Sequence, residues 1–182
     1  RAETVEMIRR AKAEGLNVTC EVTPHHLFSR GEDYRVNPPL RTPEDEHALV
    51  EGIRDGTIDC LSTDHAPHTE ADKQNGAAGI SNIEYAAQIY LQVFAENGIP
   101  LTRFAEMTSL APSRILGRKA GLIRPGYPAD FTVLDADAET VIHKDEMRSR
   151  SHNTPFDGRG VRGRVVMTVV DGETRYEYNQ AG

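Results

Sequence analysis

Cysteine is scarce: only Cys20 and Cys60 occur in 182 residues. Two are too few for a disulfide framework, and both fall in segments read as strands. They read as buried free thiols of a reducing compartment, so the expected location is cytoplasmic. No stretch approaches the ~20 consecutive apolar residues of a membrane span. Basic residues are in the minority, 21 Lys and Arg against 28 Asp and Glu, for a net charge of −7. Arg9, Arg10 and Lys12 cluster, but acidic residues surround them, so the concentrated basic patch that nucleic acid needs is lacking. A Ser-His-Asp order, a glycine-rich phosphate loop and a CxxC pair are missing as well. So are internal repeats and low-complexity segments.

What is present fits a soluble globular chain, with 38% apolar and 27% charged residues. Residue 1 is an arginine and a helical pattern opens almost at once, as in a piece of something longer. Residues 3–14 place Val5, Ile8 and Ala11 on one helical face before Gly15, and "NVTCEV" (17–22) follows as a strand. The stretch after it, with prolines at 24, 38, 39 and 43, reads as a long irregular loop, the kind that carries function. Residues 44–55 form a helix with Leu49, Val50 and Ile53 inward, and "TIDCLS" (57–62) is a second short strand. A loop runs to about Ser81. Residues 82–97 make a helix with Ile83, Ala86, Ala87, Tyr90, Val93 and Phe94 inward. Thr102 caps a helix to Leu110, and another covers 111–116. Strands are expected at 131–135, 140–143 and 164–178, the last turning at Asp171-Gly172. Two βα units cannot close a (β/α)₈ barrel of ~250 residues. The order fits a small α/β sheet protein or the end of a barrel.

Functional side chains of parallel α/β folds collect past the carboxyl ends of strands. Here those ends carry Glu21-Val-Thr-Pro-His25-His26 and Thr63-Asp64-His65-Ala-Pro-His68. Carboxylates and imidazoles are ligands for zinc and similar ions, and Asp64 follows an apolar run in which an unpaired carboxylate would be costly. Each has a plainer reading. Asp64 can cap its loop, and Glu21 can pair with a neighbouring base. His65 or His68 can brace the loop around Pro67. His25 and His26 are adjacent, so extended backbone points them opposite ways, and a packed or surface role is the expectation. His47, His143 and His152 read as structural or surface residues. Spacing alone stops at an incomplete metal-assisted hydrolase.

Together, "CEVTPHHLF", "RVNPPLRTPED", "DGTIDCLSTDHAPHTEADK" and "NTPFDG" resemble the C-terminal half of a class I dihydroorotase of the amidohydrolase superfamily. "GLIRPGYPADFTVLD" is similar to that superfamily's return from barrel to small β-domain. The resemblance spans essentially the whole chain, and "NPPLR" followed by "STDHAPH" is its most specific pair. It implies the C-terminal part of a (β/α)₈ barrel over residues 1–120 and a segment of a small β-sandwich domain over 121–182. It also implies a binuclear metal centre, usually Zn2+, and reversible interconversion of N-carbamoyl-L-aspartate and L-dihydroorotate in pyrimidine synthesis.

By that resemblance Asp64 is a metal ligand and the proton shuttle between the attacking hydroxide and the ring amide nitrogen. Asn37 and His68 match substrate-holding positions. Glu21 matches one that approaches an additional metal in some relatives, and the paired histidines are not the usual ligands. The chain departs from the pattern twice. The His-x-His, the bridging ligand and two later histidines of the family would lie upstream of Arg1, so this polypeptide alone is expected not to hold the centre. Ala78-Gly79 also stand where the family has a phenylalanine-glycine pair, in a loop that reads as short, leaving backbone contacts but no aromatic wall. Expected partners are the small-molecule substrate, the missing part of the barrel, and a homodimer or an aspartate transcarbamoylase complex. The rival readings are another cyclic amidohydrolase, allantoinase or hydantoinase, and a non-catalytic dihydroorotase-like subunit.

Overall fold

The two segments that read as the last strands of a barrel do pair, in parallel, in a computed structural model that describes residues 1–179. Strand β1 (Glu21–Val22) lies against β2 (Cys60–Leu61), with Glu21 opposite Cys60 and Val22 opposite Leu61. The ladder is shorter than the apolar runs because each strand has one neighbour. Beyond it, the Cys20 carbonyl accepts from Asp59 N, and Ser62 N donates to the Val22 carbonyl. Cys60 is buried and Cys20 only half-buried, and both are free thiols. No closed barrel forms among the described residues.

Helix α1 (Ala2–Ala13) precedes β1. The four-residue α2 (Pro24–Leu27) follows it, inside what reads as irregular loop. Helix α3 (Pro43–Arg54) makes the crossover to β2. Its start is written in the sequence: Asp45 N donates to the Thr42 hydroxyl, Pro43 takes the first turn, and three carboxylates face the positive end of the helix dipole. Val50 and Ile53 are its buried residues alongside Gly52. The loop after β2 holds a second unexpected helix, α4 (Glu70–Gln74), started by a reciprocal Thr69–Asp72 capping box.

Helix α5 (Ala86–Glu96) begins four residues later than its apolar spacing suggests, and Ile83, expected inward, is exposed. The physical reason lies in His65, whose Nδ1 accepts from the amides of Asn82 and Ile83 and holds them in a turn. From Ala86 on, Ala86, Tyr90, Val93 and Phe94 are buried as expected, Ala87 is half-buried, and Ile89 and Leu91 join the core as well. Helices α6 (Leu101–Ala105) and α7 (Ala111–Ile115) are joined by a π-helical turn over Glu106–Leu110 rather than separated. Pro112 has no N–H for a carbonyl one turn back, and the widened turn precedes it. Pro100, not Thr102, sits at the start of α6.

Strands β3 (Phe131–Val141), β4 (Gly160–Val170) and β5 (Glu173–Glu177) form one antiparallel meander. The two strands expected at 131–135 and 140–143 are one strand broken by a bulge: Asp135 pairs with Arg164 and Glu139 with Arg162. The Asp135 carboxylate accepts from the amides of Asp137 and Ala138 there. Asp171-Gly172 turns β4 into β5 with both φ positive (+52° and +78°), as a two-residue hairpin of this hand requires. This sheet is a single layer. It meets the helices where α5 crosses β4 at Gly163, since a Cβ there would collide with the Leu91 side chain. One buried cluster runs from Val22, Ile53 and Ile58 through Ile89 and Phe94 to Phe156 and Val161. No helix among the described residues is long and apolar enough to cross a membrane.

Candidate functional site

Parallel pairing brings the ends of β1 and β2 to one edge, and α5 closes behind them. The buried Tyr90 hydroxyl lies between the carbonyls of Val22 (2.9 Å) and Ser62, donating to one at a time. Burial raises its pKa well above the ordinary phenol range, so it stays a donor. Three residues past β2, Asp64 sits at φ +47°, a left-handed conformation that aspartate tolerates better than most residues. It is exposed, contrary to the desolvated carboxylate expected after an apolar run.

Asp64 lines a pocket of about 550 Å³ whose wall also holds Glu21, Thr23, His26, Asn37 and Arg41. Glu21, Asn37 and Asp64, singled out on three separate stretches of sequence, therefore share one cavity. His68, Ala78 and Gly79 do not line it and form a second group.

The paired histidines depart from expectation. The backbone is helical there, so their rings lie together, with centroids 4.5 Å apart, and both reach the Thr23 hydroxyl. Thr23 stands at the start of α2, yet its hydroxyl does not cap the backbone. Its oxygen is 3.1 Å from His25 Nε2 and 2.6 Å from His26 Nδ1. His26 Nε2 meets the Pro38 carbonyl at 2.9 Å. His25 is packed, at 1% exposure, with Nδ1 3.1 Å from Asn82 Nδ2.

Burial, reinforced by His26, pushes the His25 imidazole down to about 3. His26 is also lowered, chiefly by burial, against the Pro38 hydrogen bond and the charge of Asp64. For His25 the unfolded chain takes up a proton near pH 6.5 that the folded chain refuses until about pH 3. Stability should therefore fall with pH through that window, by up to about 1.4 kcal/mol per pH unit. Denaturant midpoints between pH 7 and 4 are expected to drop more steeply for the wild type than for His25→Gln. Equal slopes would contradict a neutral buried ring.

In the second group the His68 ring meets the Ala78 carbonyl through Nε2 at 3.1 Å. Gly79 has φ +152°, and a Cβ there would come within 2.8 Å of His68 Cδ2. Asn153, buried and 85 residues from His68 in sequence, ties the group together. Its Oδ1 accepts from His68 N at 3.0 Å and from the hydroxyls of Ser81 and Ser151. Its Nδ2 donates to the carbonyls of Gly79 (3.1 Å) and Ala66 (3.4 Å). Lys73 closes the loop from outside: Nζ lies 2.9–3.0 Å from the carbonyls of Arg35, Ala77 and Gly79 and 4.2 Å from the Tyr34 ring centroid.

Sequence reasoning gave Asn153, Asn82, Thr23 and Tyr90 no part in the site: "NTPFDG" contains Asn153, "CEVTPHHLF" contains Thr23, and Tyr90 reads only as part of the inward face of its helix.

Among the described residues no three His, Cys, Asp or Glu side chains converge to hold a metal ion. Beside Asp64, the His26 ring has both nitrogens committed to hydrogen bonds and the Cys20 thiol faces the Thr57 carbonyl, leaving Glu21 as the other candidate donor on the pocket wall. The donor set here does not by itself fit a two-metal centre.

The sequence matches the model of the amidohydrolase family over residues 4–175. A protein named dihydroorotase from Lactiplantibacillus plantarum is 45% identical over 188 residues, covering 96% of this chain and 44% of that protein. One of the same name from Clostridium botulinum is 40% identical over 178 residues, covering 96% and 45%. Among solved structures, an L-hydantoinase (dihydropyrimidinase) from Arthrobacter aurescens is similar with a TM-score of 0.89 and 31% identity, over 97% of this chain and 43% of that one. A D-hydantoinase gives 0.87 at 25% identity, over 96% and 43%. The chain spans less than half the length of these relatives.

Proposed function

Because the chain belongs to the amidohydrolase family, we propose that it is the C-terminal part of a dihydroorotase, hydrolysing L-dihydroorotate to N-carbamoyl-L-aspartate and closing it again. The observation that carries this is the shared pocket of Glu21, Asn37 and Asp64 beside two parallel strand ends. The names of the curated relatives support the choice of substrate.

In this reading residues 1–120 are the last βα units of a (β/α)₈ barrel, with β1 and β2 as its last strands. The β3–β5 sheet, within 121–182, is one layer of a small sandwich. The rest of the barrel is the first partner, followed by a second copy or an aspartate transcarbamoylase. Free thiols fit a cytoplasmic setting. A binuclear divalent centre, zinc in the family pattern, would take Asp64 from this chain, and Glu21 for a further ion. The remaining ligands would come from elsewhere in the polypeptide. Such ions, when bound, acidify a water and polarise a carbonyl.

The chain's own residues supply the proton path and the substrate contacts. As water attacks the ring carbonyl, the Asp64 carboxylate takes its proton. As the amide C–N bond breaks, Asp64 returns that proton to the departing nitrogen and ends as it began, while the second proton of the water leaves when the new carboxylic acid ionises. Asn37 on the same wall holds the ring. His68 and the backbone of Ala78 and Gly79, braced by Asn153, present the second contact surface to the substrate carboxylate.

The fold similarity to L-hydantoinase favours one other reading, hydrolysis of a different cyclic amide. The intact protein should turn over dihydroorotate in preference to hydantoin and allantoin, as measured by kcat/KM; preference for either of the others would reverse the choice. A non-catalytic subunit predicts no turnover of any of them and no His-x-His in the residues that precede Arg1 in the intact protein.

A further inference from the structure

The hydrogen bonds around Thr23 admit one direction of donation, and they join two parts of the pocket that no strand connects. Asn82 is fully buried, and its Nδ2 lies 2.7 Å from the Thr63 carbonyl, which only accepts, so the amide is oriented. The other Nδ2 proton faces His25 Nδ1 at 3.1 Å, so that nitrogen is the acceptor and the His25 proton sits on Nε2. Nε2–H then donates to Thr23 Oγ1, and the threonine gives its own proton to His26 Nδ1. This leaves Nε2–H of His26 for the Pro38 carbonyl, which again only accepts. Both ends are fixed as acceptors, and every donor between them has one place to go.

The ends matter by position. Thr63 is bonded to Asp64, and Pro38 to Asn37. Asp64, Asn37, Pro38, Thr23 and His26 all line the same pocket. The stretch carrying Asn37 has no regular secondary structure of its own. We infer that Asn82, His25, Thr23 and His26 are positioning residues: a relay that ties the loop bearing Asn37 to the peptide before Asp64, setting the distance between substrate contact and proton carrier. This rests on the reading of Asn37 and Asp64 as site residues of a dihydroorotase.

The test uses the intact protein and four variants. Thr23→Val removes the central hydroxyl at similar volume, and Thr23→Ser keeps it. His26→Ala removes the outer donor, while His26→Gln keeps an N–H that can reach the Pro38 carbonyl. With Asn37 displaced, KM for dihydroorotate should rise about tenfold in Thr23→Val and His26→Ala, with kcat within about twofold. Ser and Gln should recover most of that loss. Imidazole ¹⁵N spectra of the wild type should show both rings as Nε2–H tautomers, with the His26 Nδ1 resonance shifted in Thr23→Val. Wild-type KM in both disruptive variants, equal losses in the Ser and Gln variants, or an Nδ1–H tautomer on either ring would overturn the relay. Absence of dihydroorotate turnover in the wild type would sink the functional reading instead. The ring spectra decide the relay in that case, and also if a variant fails to fold.

Discussion

Asp64→Asn in the intact protein is expected to lower kcat for dihydroorotate by about 10²- to 10⁴-fold, the range over which a positioned acid–base group contributes. The fold should not register the change. Asp64 is exposed and its carboxylate makes no hydrogen bond or ion pair within the described residues, so no internal partner is orphaned. Its φ of +47° is one that asparagine accepts as readily. What is lost is a group that can hold a proton between its removal from water and its delivery to nitrogen. An unchanged thermal midpoint with a collapsed kcat is the predicted pair of readings, with KM little altered because Asn37 and His68 remain. Near-normal turnover would refute the shuttle.

The second large effect is expected at Asn153, and it should be structural first. Asn153→Leu keeps the branching at Cγ, with somewhat greater bulk, and removes every side-chain polar contact at once. His68 N, the Ala66 carbonyl and the Ser81 hydroxyl would lose their side-chain partner, while the Gly79 carbonyl keeps Lys73 and the Ser151 hydroxyl keeps the His68 carbonyl. A buried polar group left unpaired costs about 1–3 kcal/mol. With two of these orphaned, a loss of about 3–5 kcal/mol is expected in denaturant unfolding, together with a raised KM as His68 and Gly79 shift. Asn153→Asp should not rescue it, since a carboxylate would turn an acceptor toward the Gly79 and Ala66 carbonyls. A midpoint within experimental error of wild type would show that the loop is held by other contacts.

The two substitutions divide what the sequence discloses from what it hides. Asp64 could be singled out, and its place on one pocket wall with Glu21 and Asn37 anticipated, because strand ends of parallel folds are where reacting groups gather and the apolar runs before Glu21 and Asp64 are legible. Helix α3 is equally so, since Thr42, Pro43 and three acidic residues state its beginning locally. Asn153 could not be found that way. Its partners are up to 87 residues distant, and an asparagine does not announce in sequence which carbonyls it will meet. The His25–Asn82 contact spans 57 residues and has the same character.

Where local signals failed, a side chain had usually intervened. His65 captures two amides and delays α5. The Asp135 carboxylate gathers two others and bulges β3. Pro24 and two histidines make a helical turn too short for any periodicity to reveal. The Thr69–Asp72 pair did state the start of α4, but in a stretch otherwise reading as loop. The proposed sandwich and barrel need layers and strands that the described residues do not contain.

Lys73 gives the loop around Gly79 an unusual tolerance. Its ammonium is satisfied by three carbonyl dipoles and a tyrosine ring, with no carboxylate partner among the described residues. Exposed ion pairs such as Arg9–Asp55 weaken as counterions accumulate, because salt screens charge against charge across solvent. A half-buried cation seated on dipoles within hydrogen-bond reach offers little room for that screening. Rising ionic strength should therefore loosen the outer face of α1 well before it loosens the segment carrying His68, Ala78 and Gly79.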